Sequence, residues 1–333
     1  MNARFFKDKL FGVHAQNFEA QALSLFRWQA QHNPVYSKYL HFLGVQPSQV
    51  SKLEEIPYLP ISFFKNHKVL SREISTKEPS DYFESSGTTG QQTSRHYVED
   101  MAFYLQVCRR GFESVYGSLH EYHVFALLPS YLERQHASLV AMAEHFIKIS
   151  ASSLSGFYLK NYEDLLEQIG LAKQSGRKVL LLGVTFALLE LAERGDTNLE
   201  GVVVMETGGM KGRRKEMIRA ELHELLCRGL NVQQIHSEYG MTELMSQAYS
   251  EGEGKFYPPP WMRIILRDIN DPFHFDNNLR YGGINVIDLA NVHSCAFIET
   301  QDLGKYHQQN GSFEVLGRFD NTDTRGCNLM VAG

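Results

Sequence analysis

The sequence predicts an α/β protein with a parallel sheet, followed by a smaller and mainly β region. Short apolar segments alternate with segments of helical periodicity between residues 99 and 250, which is typical of strands covered by helices on both faces. Beyond residue 250 the helical periodicity fades, and short apolar segments are separated by polar turns. The 333 residues, 43% of them hydrophobic, are enough to bury a substantial core.

Residues 1–80 predict a helical segment packed on the main domain. Residues 12–33 place apolar side chains on one helical face, and Pro34 follows just beyond the predicted end. Four prolines then interrupt any helical pattern, because each lacks a backbone N–H. They are Pro47, Pro57, Pro60 and Pro79.

Residues 81–250 predict the α/β core, whose strands and helices follow one another along the chain. The predicted helices are Met101–Phe112, Leu139–Phe146, Phe186–Arg194 and Arg213–Arg228. The predicted strands are Val179–Leu182, Val202–Met205 and Val232–Ile235.

Residues 251–333 predict a β-rich subdomain and a short tail that carries Cys327. Its predicted strands are Arg263–Arg267, Gly283–Asp288, Ala296–Glu299 and Phe313–Leu316.

Charge and cysteine usage argue against several classes of protein. The 33 Lys and Arg against 38 Asp and Glu give a net charge of −5 without charge blocks, which argues against nucleic-acid and membrane-surface binding. The four cysteines form no zinc pattern. The longest apolar run, Val179–Leu189, is far shorter than the roughly 20 residues that a membrane span needs. Since the N-terminus also lacks a secretory signal, we expect a cytoplasmic protein with reduced thiols.

The segment Ser85–Gly90 predicts an anion-binding loop. Its glycines let backbone N–H groups approach an anion closely, and its hydroxyls supply further donors. A Walker A loop is excluded, because no Gly-Lys-Ser/Thr follows. A flexible surface linker is the alternative for this string taken alone. Its residues are Ser85, Ser86, Gly87, Thr88, Thr89 and Gly90.

The second string, Ser237–Glu243, follows a predicted strand, and ligands bind at the carboxyl ends of strands in open α/β sheets. Tyr239 is placed to stack on a purine, and Glu243 offers the hard oxygen ligand that Mg²⁺ prefers. An ordinary turn into a helix is the alternative, with Thr242 and Glu243 capping that helix.

The third string, Glu206–Arg214, also lies at the end of a predicted strand. Gly208 and Gly209 permit close backbone approach, and the basic residues from Lys211 onward are suited to phosphate. A glycine turn with solvated basic side chains is the alternative.

The fourth region consists of Asp302-Leu303-Gly304, followed by Gly317–Asp320 and then by Arg325-Gly326-Cys327. An isolated Asp in a turn is usually a turn former. An Asp followed shortly by Gly-Arg-x-Asp is less easily explained as turn chemistry.

In this order, the four regions resemble motifs of the adenylate-forming superfamily of acyl- and aryl-CoA ligases, adenylation domains and luciferases. SSGTTG resembles the phosphate-binding loop, and Tyr239-Gly240-x-Thr242-Glu243 resembles the Tyr-Gly-x-Thr-Glu segment. Asp302 resembles the ribose-binding aspartate, and GRFD resembles the Gly-Arg-x-Asp that precedes the hinge. The resemblance runs from about residue 80 to the C-terminus and implies a large domain of layered α/β sheets.

Two further strings narrow the resemblance. GGMKGRR and the ending DTRGCNLMVAG are similar to segments of the acyl-protein synthetases, whose best-known member is the synthetase subunit of the bioluminescence fatty-acid reductase. Phenylacetate–CoA ligases are the next nearest family.

The resemblance implies an ATP site. The loop Ser85–Gly90 would hold the β- and γ-phosphates. Tyr239 would lie against adenine, with Gly208 and Gly209 lining the opposite wall.

The same resemblance assigns the groups around the α-phosphate and the ribose. Thr242 would contact the α-phosphate, and Glu243 would bind Mg²⁺. Asp302 would accept hydrogen bonds from the ribose hydroxyls, with support from Arg318.

The sequence departs from the wider superfamily beyond Gly-Arg-x-Asp. Typical members continue into a small C-terminal domain that carries a catalytic lysine, and we expect this domain to be missing here. Lys211, Arg213 and Arg214 are the candidates to replace the lysine.

Cys327 is the expected acyl acceptor. Acyl-protein synthetases resemble this chain in carrying a cysteine near the C-terminus that takes the acyl group as a thioester. A thiolate is a good nucleophile for this transfer, and Gly326 gives the tail freedom. A half-buried cysteine without a role is the alternative. Cys108, Cys227 and Cys295 are expected in the core.

The expected function is ATP- and Mg²⁺-dependent activation of a carboxylic acid, most simply a fatty acid, to an acyl-adenylate. The acyl group would pass through Cys327 to a partner such as an acyl reductase. One alternative is a CoA ligase, or an adenylating enzyme that serves CoA or a carrier protein. Another is a nucleotide-binding module without turnover. Apolar residues near the predicted strand ends favour an aliphatic or aromatic acid.

Overall fold

The computed structural model describes residues 1–72, 79–85, 93–129, 136–195, 197–208, 217–273 and 279–319. Within these ranges the chain forms nine α-helices and thirteen strands. The strands make up a six-stranded main sheet, a five-stranded second sheet and a two-stranded hairpin. The predicted α/β class with layered sheets is confirmed. No helix in the described ranges combines the length and apolar character needed to cross a bilayer.

The N-terminal elements are helices and one short strand. The predicted helix over 12–33 is confirmed from Phe18 onward, whereas Pro34 opens the next helix instead of only following the first. Asn33 caps that next helix by accepting hydrogen bonds from the backbone N–H groups of Val35 and Tyr36, and proline is well suited to the first helical position. The elements are α1 Ala3–Lys9, α2 Phe18–His32, α3 Pro34–Phe42, β1 Leu59–Pro60 and α4 Phe63–Asn66.

A hairpin and the main sheet follow. The hairpin pairs β2 Tyr82–Glu84 with β3 Arg95–Tyr97. In the main sheet the spatial order is β5-β4-β6-β7-β8-β9, and every pair is parallel except the antiparallel pair of β8 and β9. Its strands are β4 Tyr122–Leu127, β5 Gly156–Tyr158, β6 Lys178–Val184, β7 Val203–Thr207, β8 His236–Tyr239 and β9 Ala248–Ser250.

Five helices accompany the main sheet. Four of them match predicted helices, although the last begins at Arg219, later than predicted. The helix α7 was not predicted. The helices are α5 Met101–Tyr116, α6 Ser138–Ser150, α7 Tyr162–Gln174, α8 Thr185–Ala192 and α9 Arg219–Leu230.

The strand predicted at Val232–Ile235 is wrong, because the chain uses those residues as the connection between α9 and β8. Asn231 ends α9 in the left-handed conformation, with a φ of 52°. The true strand is polar, yet all four of its residues are buried. Its polar side chains find partners inside the protein, for example His236 with the Tyr116 hydroxyl at 3.2 Å, so hydrophobicity did not reveal it.

The four strands predicted beyond residue 250 are confirmed. They lie in the second sheet and are longer than predicted. Its third predicted strand continues from Phe297 as far as His307. The short β1 also joins this sheet, parallel to β12, so the N-terminal region contributes to it. The order is β1-β12-β11-β10, with β13 on β12. The strands are β10 Met262–Arg267, β11 Tyr281–Asp288, β12 Phe297–His307 and β13 Ser312–Arg318.

One hydrophobic cluster extends through residues from all parts of the chain. Phe26 of α2, for example, contacts Phe297 of β12 edge to face, with ring centroids 5.8 Å apart. Aromatic contacts of this kind stabilise the packing beyond the area that they bury. The domain limits at residues 80 and 250 remain a prediction.

Candidate active site

The two sheets meet where β8 of the main sheet ends. Tyr239, the last residue of β8, donates a hydrogen bond from its hydroxyl to Oδ2 of Asp302 on β12, with 2.9 Å between the oxygens. The carboxyl ends of parallel strands are where α/β sheets bind ligands. Two residues that the sequence predicts for nucleotide binding are therefore in direct contact.

Asp302 lies in a strand and not in a turn, and its cross-strand partner on β13 is Arg318. Nε of Arg318 is 3.4 Å from Oδ1 of Asp302, while 67% of the Arg318 side chain stays exposed. Burial raises the pKa of Asp302, and the Arg318 guanidinium partly opposes this rise. The arginine thus orients the carboxylate and still presents positive charge to solvent.

Tyr239 is only 7% exposed, and aromatic rings surround it. Its ring contacts Phe313 edge to face at 5.2 Å and lies tilted to Phe256 at 5.8 Å. Burial and the neighbouring Asp302 raise its pKa well above the ordinary value, so the hydroxyl stays a donor. Contact of this ring with adenine remains a prediction.

Glu243 is 5% exposed and lies beside the other predicted motifs. Its carboxylate accepts a hydrogen bond from the side chain of Ser94, and its charge interacts with those of Asp302 and Arg318. Burial raises its pKa above the ordinary value. A buried carboxylate with so little compensation is suited to a cation, because the cation would offset the cost of desolvation.

Ser94 belongs to the base of the predicted anion loop. The backbone N–H of Ser85 donates to the carbonyl of Ser94 at 3.0 Å, and the Ser94 N–H donates to Oγ of Ser85 at 2.8 Å. This pair closes the hairpin of β2 and β3 next to Glu243. The loop residues Ser86, Gly87, Thr88, Thr89 and Gly90 lie outside the described residues.

Thr242 and Glu243 form a turn that does not lead into a helix, so the helix-capping alternative is wrong. Nδ1 of His96, on β3, donates to the carbonyl of Thr242 at 2.8 Å. The amide of Asn291 donates to the carbonyl of Glu243 at 2.8 Å. Sequence reasoning missed both His96 and Asn291, because the contacts go to backbone carbonyls far away along the chain.

Gly208 follows β7 with a φ of 73°, a conformation that favours glycine. Its carbonyl accepts a hydrogen bond from Oγ1 of Thr185 at 3.2 Å. Gly208 thus lies at the same end of the sheet as Tyr239, one strand away. Gly209 and Lys211 lie outside the described residues.

Two buried carboxyl groups on β7 and β8, those of Glu206 and Glu238, were not predicted as part of the site. Glu206 accepts hydrogen bonds from Arg219 and, at 3.0 Å, from Oγ1 of Thr185. Burial alone would raise its pKa, but Arg219 reverses the effect and the pKa is lowered. Glu238 accepts from Oγ1 of Thr207. Burial, and then the charge of Glu206, raise the pKa of Glu238 to about 7.

Gly240 leaves room for the Glu238 carboxyl. A Cβ atom on Gly240 would lie closer to Oε1 of Glu238 than van der Waals contact permits. The glycine of the predicted Tyr-Gly segment therefore has a packing reason in this chain. Any larger residue would displace Glu238 or move the turn.

Two of the cysteines expected in the core are fully buried there, and Cys227 is half-buried. Burial raises the pKa values of Cys108 and Cys295 to about 12. Neither thiol ionises at neutral pH, which makes both poor nucleophiles. Cys327 lies outside the described residues.

Solved structures with partial similarity include an amide bond synthetase from Marinactinospora thermotolerans. The two chains share 16% sequence identity, and their structures superpose with a TM-score of 0.41. The match covers 65% of this chain and 45% of the synthetase. Fatty acyl-adenylate ligases from E. coli and L. pneumophila give 13% identity and a TM-score of 0.48, over 84% of this chain and 55% of theirs. The chain therefore spans about half the length of these proteins. These TM-scores are too low to assign a family, so the family assignment rests on the sequence.

A sequence model of one family, described as "Acyl-protein synthetase, LuxE", matches residues 13–333. None of the curated proteins matches the chain by sequence. The matched region includes all four strings that suggested adenylate formation. Because the match covers nearly the whole chain, this protein belongs to the LuxE acyl-protein synthetase family.

Proposed function

We propose that this protein uses ATP to convert a carboxylic acid, in the first place a fatty acid, into an acyl-adenylate. Cys327 then takes the acyl group as a thioester and delivers it to a partner protein such as an acyl reductase. Family membership supports the first step directly. The nature of the acid and the role of Cys327 are the parts that an experiment must decide.

The observation that carries the proposal is the hydrogen bond from Tyr239 to Asp302. It joins two segments that are 63 positions apart in the sequence and that lie in different sheets. Glu243 lies within electrostatic range of the same aspartate. Three separately predicted nucleotide-binding residues thus converge on one place, which is the arrangement that an ATP site requires.

In the first step, a carboxylate oxygen of the acid attacks the α-phosphorus of ATP. The bond from this phosphorus to the oxygen that bridges to the β-phosphate breaks, and pyrophosphate leaves with the electron pair. Such chemistry depends on positioning and on stabilisation of charge around the phosphates. Asp302 would hold the ribose hydroxyls, and Arg318 would keep its carboxylate in place.

Magnesium fits the donor set at this place. The described residues contain no cluster of three or more His, Cys, Asp or Glu side chains that would enclose a metal by themselves. Glu243 supplies one buried carboxylate, and Mg²⁺ at triphosphates commonly uses one or two carboxylates together with phosphate oxygens. When bound, the ion would neutralise charge on the phosphates.

In the second step, the sulfur of Cys327 attacks the acyl carbonyl carbon of the adenylate. The bond from this carbon to the phosphate oxygen breaks, AMP leaves, and the thiol proton passes to solvent. Cys108 and Cys295 are excluded as competitors by their burial. Cys227, which is half-buried, is the matched control.

The test is intact-protein mass spectrometry after incubation with ATP, Mg²⁺ and fatty acids of different lengths, with release of pyrophosphate measured in parallel. We expect a mass gain of one acyl group that hydroxylamine removes. The gain should persist in Cys227→Ser and be absent in Cys327→Ser. Glu243→Gln should lower pyrophosphate release by about 100-fold, because it removes the charge that the site directs at the metal.

Other outcomes would change the assignment. Pyrophosphate release without acylation, together with consumption of added CoA, would replace the thioester step by a CoA ligase reaction. Acylation that survives in Cys327→Ser would assign the acceptor to another residue. No pyrophosphate from any acid would contradict adenylate formation itself.

A further inference from the structure

Buried side chains hold the turn of Thr242 and Glu243, in addition to the backbone hydrogen bond from Leu244 to Met241 at 3.1 Å. These residues lie between β8 and β9, outside any helix or strand. A turn without a hydrogen-bonded ladder depends on other partners for its backbone groups. Here those partners come from the hairpin, from the end of β11 and from the connection between β11 and β12, and each of them is buried.

His96 connects the hairpin to this turn. It is 1% exposed, and its Nδ1 lies 2.8 Å from the carbonyl oxygen of Thr242. A carbonyl can only accept, so Nδ1 carries the proton. Nε2 lies 3.0 Å from the amide oxygen of Asn291. Burial lowers the pKa of His96 to about 4. A neutral ring with its proton on Nδ1 donates to Thr242 only, so its Nε2 and the Asn291 oxygen are two acceptors in contact.

The end of β11 and the connection from β11 to β12 hold the remainder of the turn. Asn291 donates to the carbonyl of Glu243 at 2.8 Å. The buried carboxylate of Asp288 accepts from the backbone N–H groups of Met245 and Ser246, at 2.8 and 3.0 Å. Side chains from other elements therefore hold both ends of the turn.

We propose that His96 is a positioning residue for the ATP site, and that its hydrogen bond to the Thr242 carbonyl holds the turn of Thr242 and Glu243 against the hairpin of β2 and β3. The proposal rests on the function proposed above. His96 lies on β3, and its Thr242 contact crosses 146 positions of sequence. One side chain thus joins the hairpin, whose base is formed by Ser85 and Ser94, to the turn that would take the α-phosphate and the metal.

Substitution of His96 by Asn or by Gln tests the two contacts of the ring one at a time. An Asn side chain places an N–H near the position of Nδ1, whereas the longer Gln side chain places one near the position of Nε2. His96→Asn can therefore keep the bond to Thr242, and His96→Gln keeps only the neighbourhood of Asn291. His96→Ala keeps neither contact.

The experiment measures acid-dependent exchange between pyrophosphate and ATP as a function of ATP and Mg²⁺ concentration, with thermal unfolding of each variant. We expect His96→Ala to lower kcat/KM for ATP by about 100-fold, because a small misplacement of catalytic groups has a large effect on rate. KM for the acid should stay within twofold. His96→Asn should recover at least tenfold over His96→Ala, and His96→Gln should recover less.

His123→Gln is the matched control. His123 is also buried, and both of its ring nitrogens are hydrogen-bonded, to Ser152 at 2.5 Å and to Ser175 at 2.7 Å. It lies near the start of β4, at the end of the sheet opposite to the site. We expect this variant to lose thermal stability and to keep its KM for ATP.

The outcomes separate the two proposals. If the unmodified protein shows no exchange with any acid, the proposed function fails, and the role of His96 fails with it. If the protein is active and His96→Asn, His96→Gln and His96→Ala lose equal activity, the positioning role is wrong. It is also wrong if His96→Ala changes KM for ATP no more than His123→Gln does at a similar loss of melting temperature.

Discussion

Glu206 and Glu238 show how two neighbouring carboxyl groups acquire opposite properties from their partners. Both are buried, at the ends of adjacent strands. Glu206 is compensated by the Arg219 guanidinium, which holds its pKa below the ordinary value against the effect of burial. Glu238 accepts a hydrogen bond from the Thr207 hydroxyl and is repelled by the charge of Glu206. Because burial and this repulsion outweigh the hydrogen bond, its pKa rises to about 7. A charge without a counter-ion costs free energy in the interior.

Glu238→Gln is therefore expected to stabilise the protein at high pH. The folded-state pKa of about 7 exceeds the ordinary value of 4.5, so the folded state binds the proton more tightly. The free energy of unfolding then falls as the pH rises from about 4.5 to about 7. The rise from 4.5 to about 7 corresponds to about 3 kcal/mol. The neutral amide removes this cost at pH 8.5 and has little effect at pH 5, as urea denaturation at the two pH values would measure.

Glu206→Gln gives the control for that measurement. Its carboxylate is stabilised by Arg219 in the folded state, so the same substitution should destabilise the protein at pH 8.5. If both substitutions moved the free energy of unfolding in the same direction, the assignment of a compensated and an uncompensated carboxyl would be wrong.

At the scale of elements, the crossing of α8 and α9 depends on a glycine. A Cβ atom on Gly229 of α9 would lie 2.6 Å from Cβ of Ala192 and 2.7 Å from its carbonyl oxygen. The nearest obstacle includes backbone, which cannot rotate away. The two helices approach as closely as they do because this position has no side chain.

Gly229→Ala should destabilise the protein by about 1–3 kcal/mol, the usual cost of overpacking. Gly170→Ala is the control, since Gly170 lies within α7, is exposed, and has nothing within 4 Å of the added Cβ. There the better helix propensity of Ala should stabilise the protein by about 0.5–1 kcal/mol. Opposite signs in the shift of the thermal midpoint support the close crossing. A stabilising Gly229→Ala would contradict it.

The sequence predicted elements well where hydrophobic periodicity decides the structure. The helix α5 and the strands β10 to β13 follow apolar patterns, and the structure confirms them. Strand β8 was misplaced because its polar side chains are satisfied internally. Motif order predicted that Glu243 and Asp302 share a site. Their link to His96 could not be predicted, because a bond to a backbone carbonyl leaves no pattern in residue type.

At the scale of the whole molecule, one buried amide ties the N-terminal helices to the second sheet. Nε2 of Gln29, on α2, lies 2.9, 3.0 and 3.1 Å from the carbonyl oxygens of Asn291, Val292 and Ser294, which share its two N–H donors. Its Oε1 accepts from the N–H of Ala296 at 2.9 Å. Because Asn291 also holds Glu243, the helical segment is connected to the candidate site through two side chains. Buried networks that are fully satisfied in this way make a structure rigid.

These connections predict that the N-terminal helices and the rest of the protein unfold together. The chain has two tryptophans, Trp28 on α2 and Trp261 just before β10, so each region has its own fluorescent probe. In Trp28→Phe the fluorescence comes from Trp261, and in Trp261→Phe it comes from Trp28. For each variant, the urea unfolding transition measured by fluorescence should coincide with the one measured by circular dichroism. Trp261→Phe also removes a hydrogen bond to Ser246, so each variant serves as its own reference. If Trp28 fluorescence changed before the loss of helical signal, residues 1–80 would form an independent unit. The bridge through Gln29 would then contribute little to cooperativity.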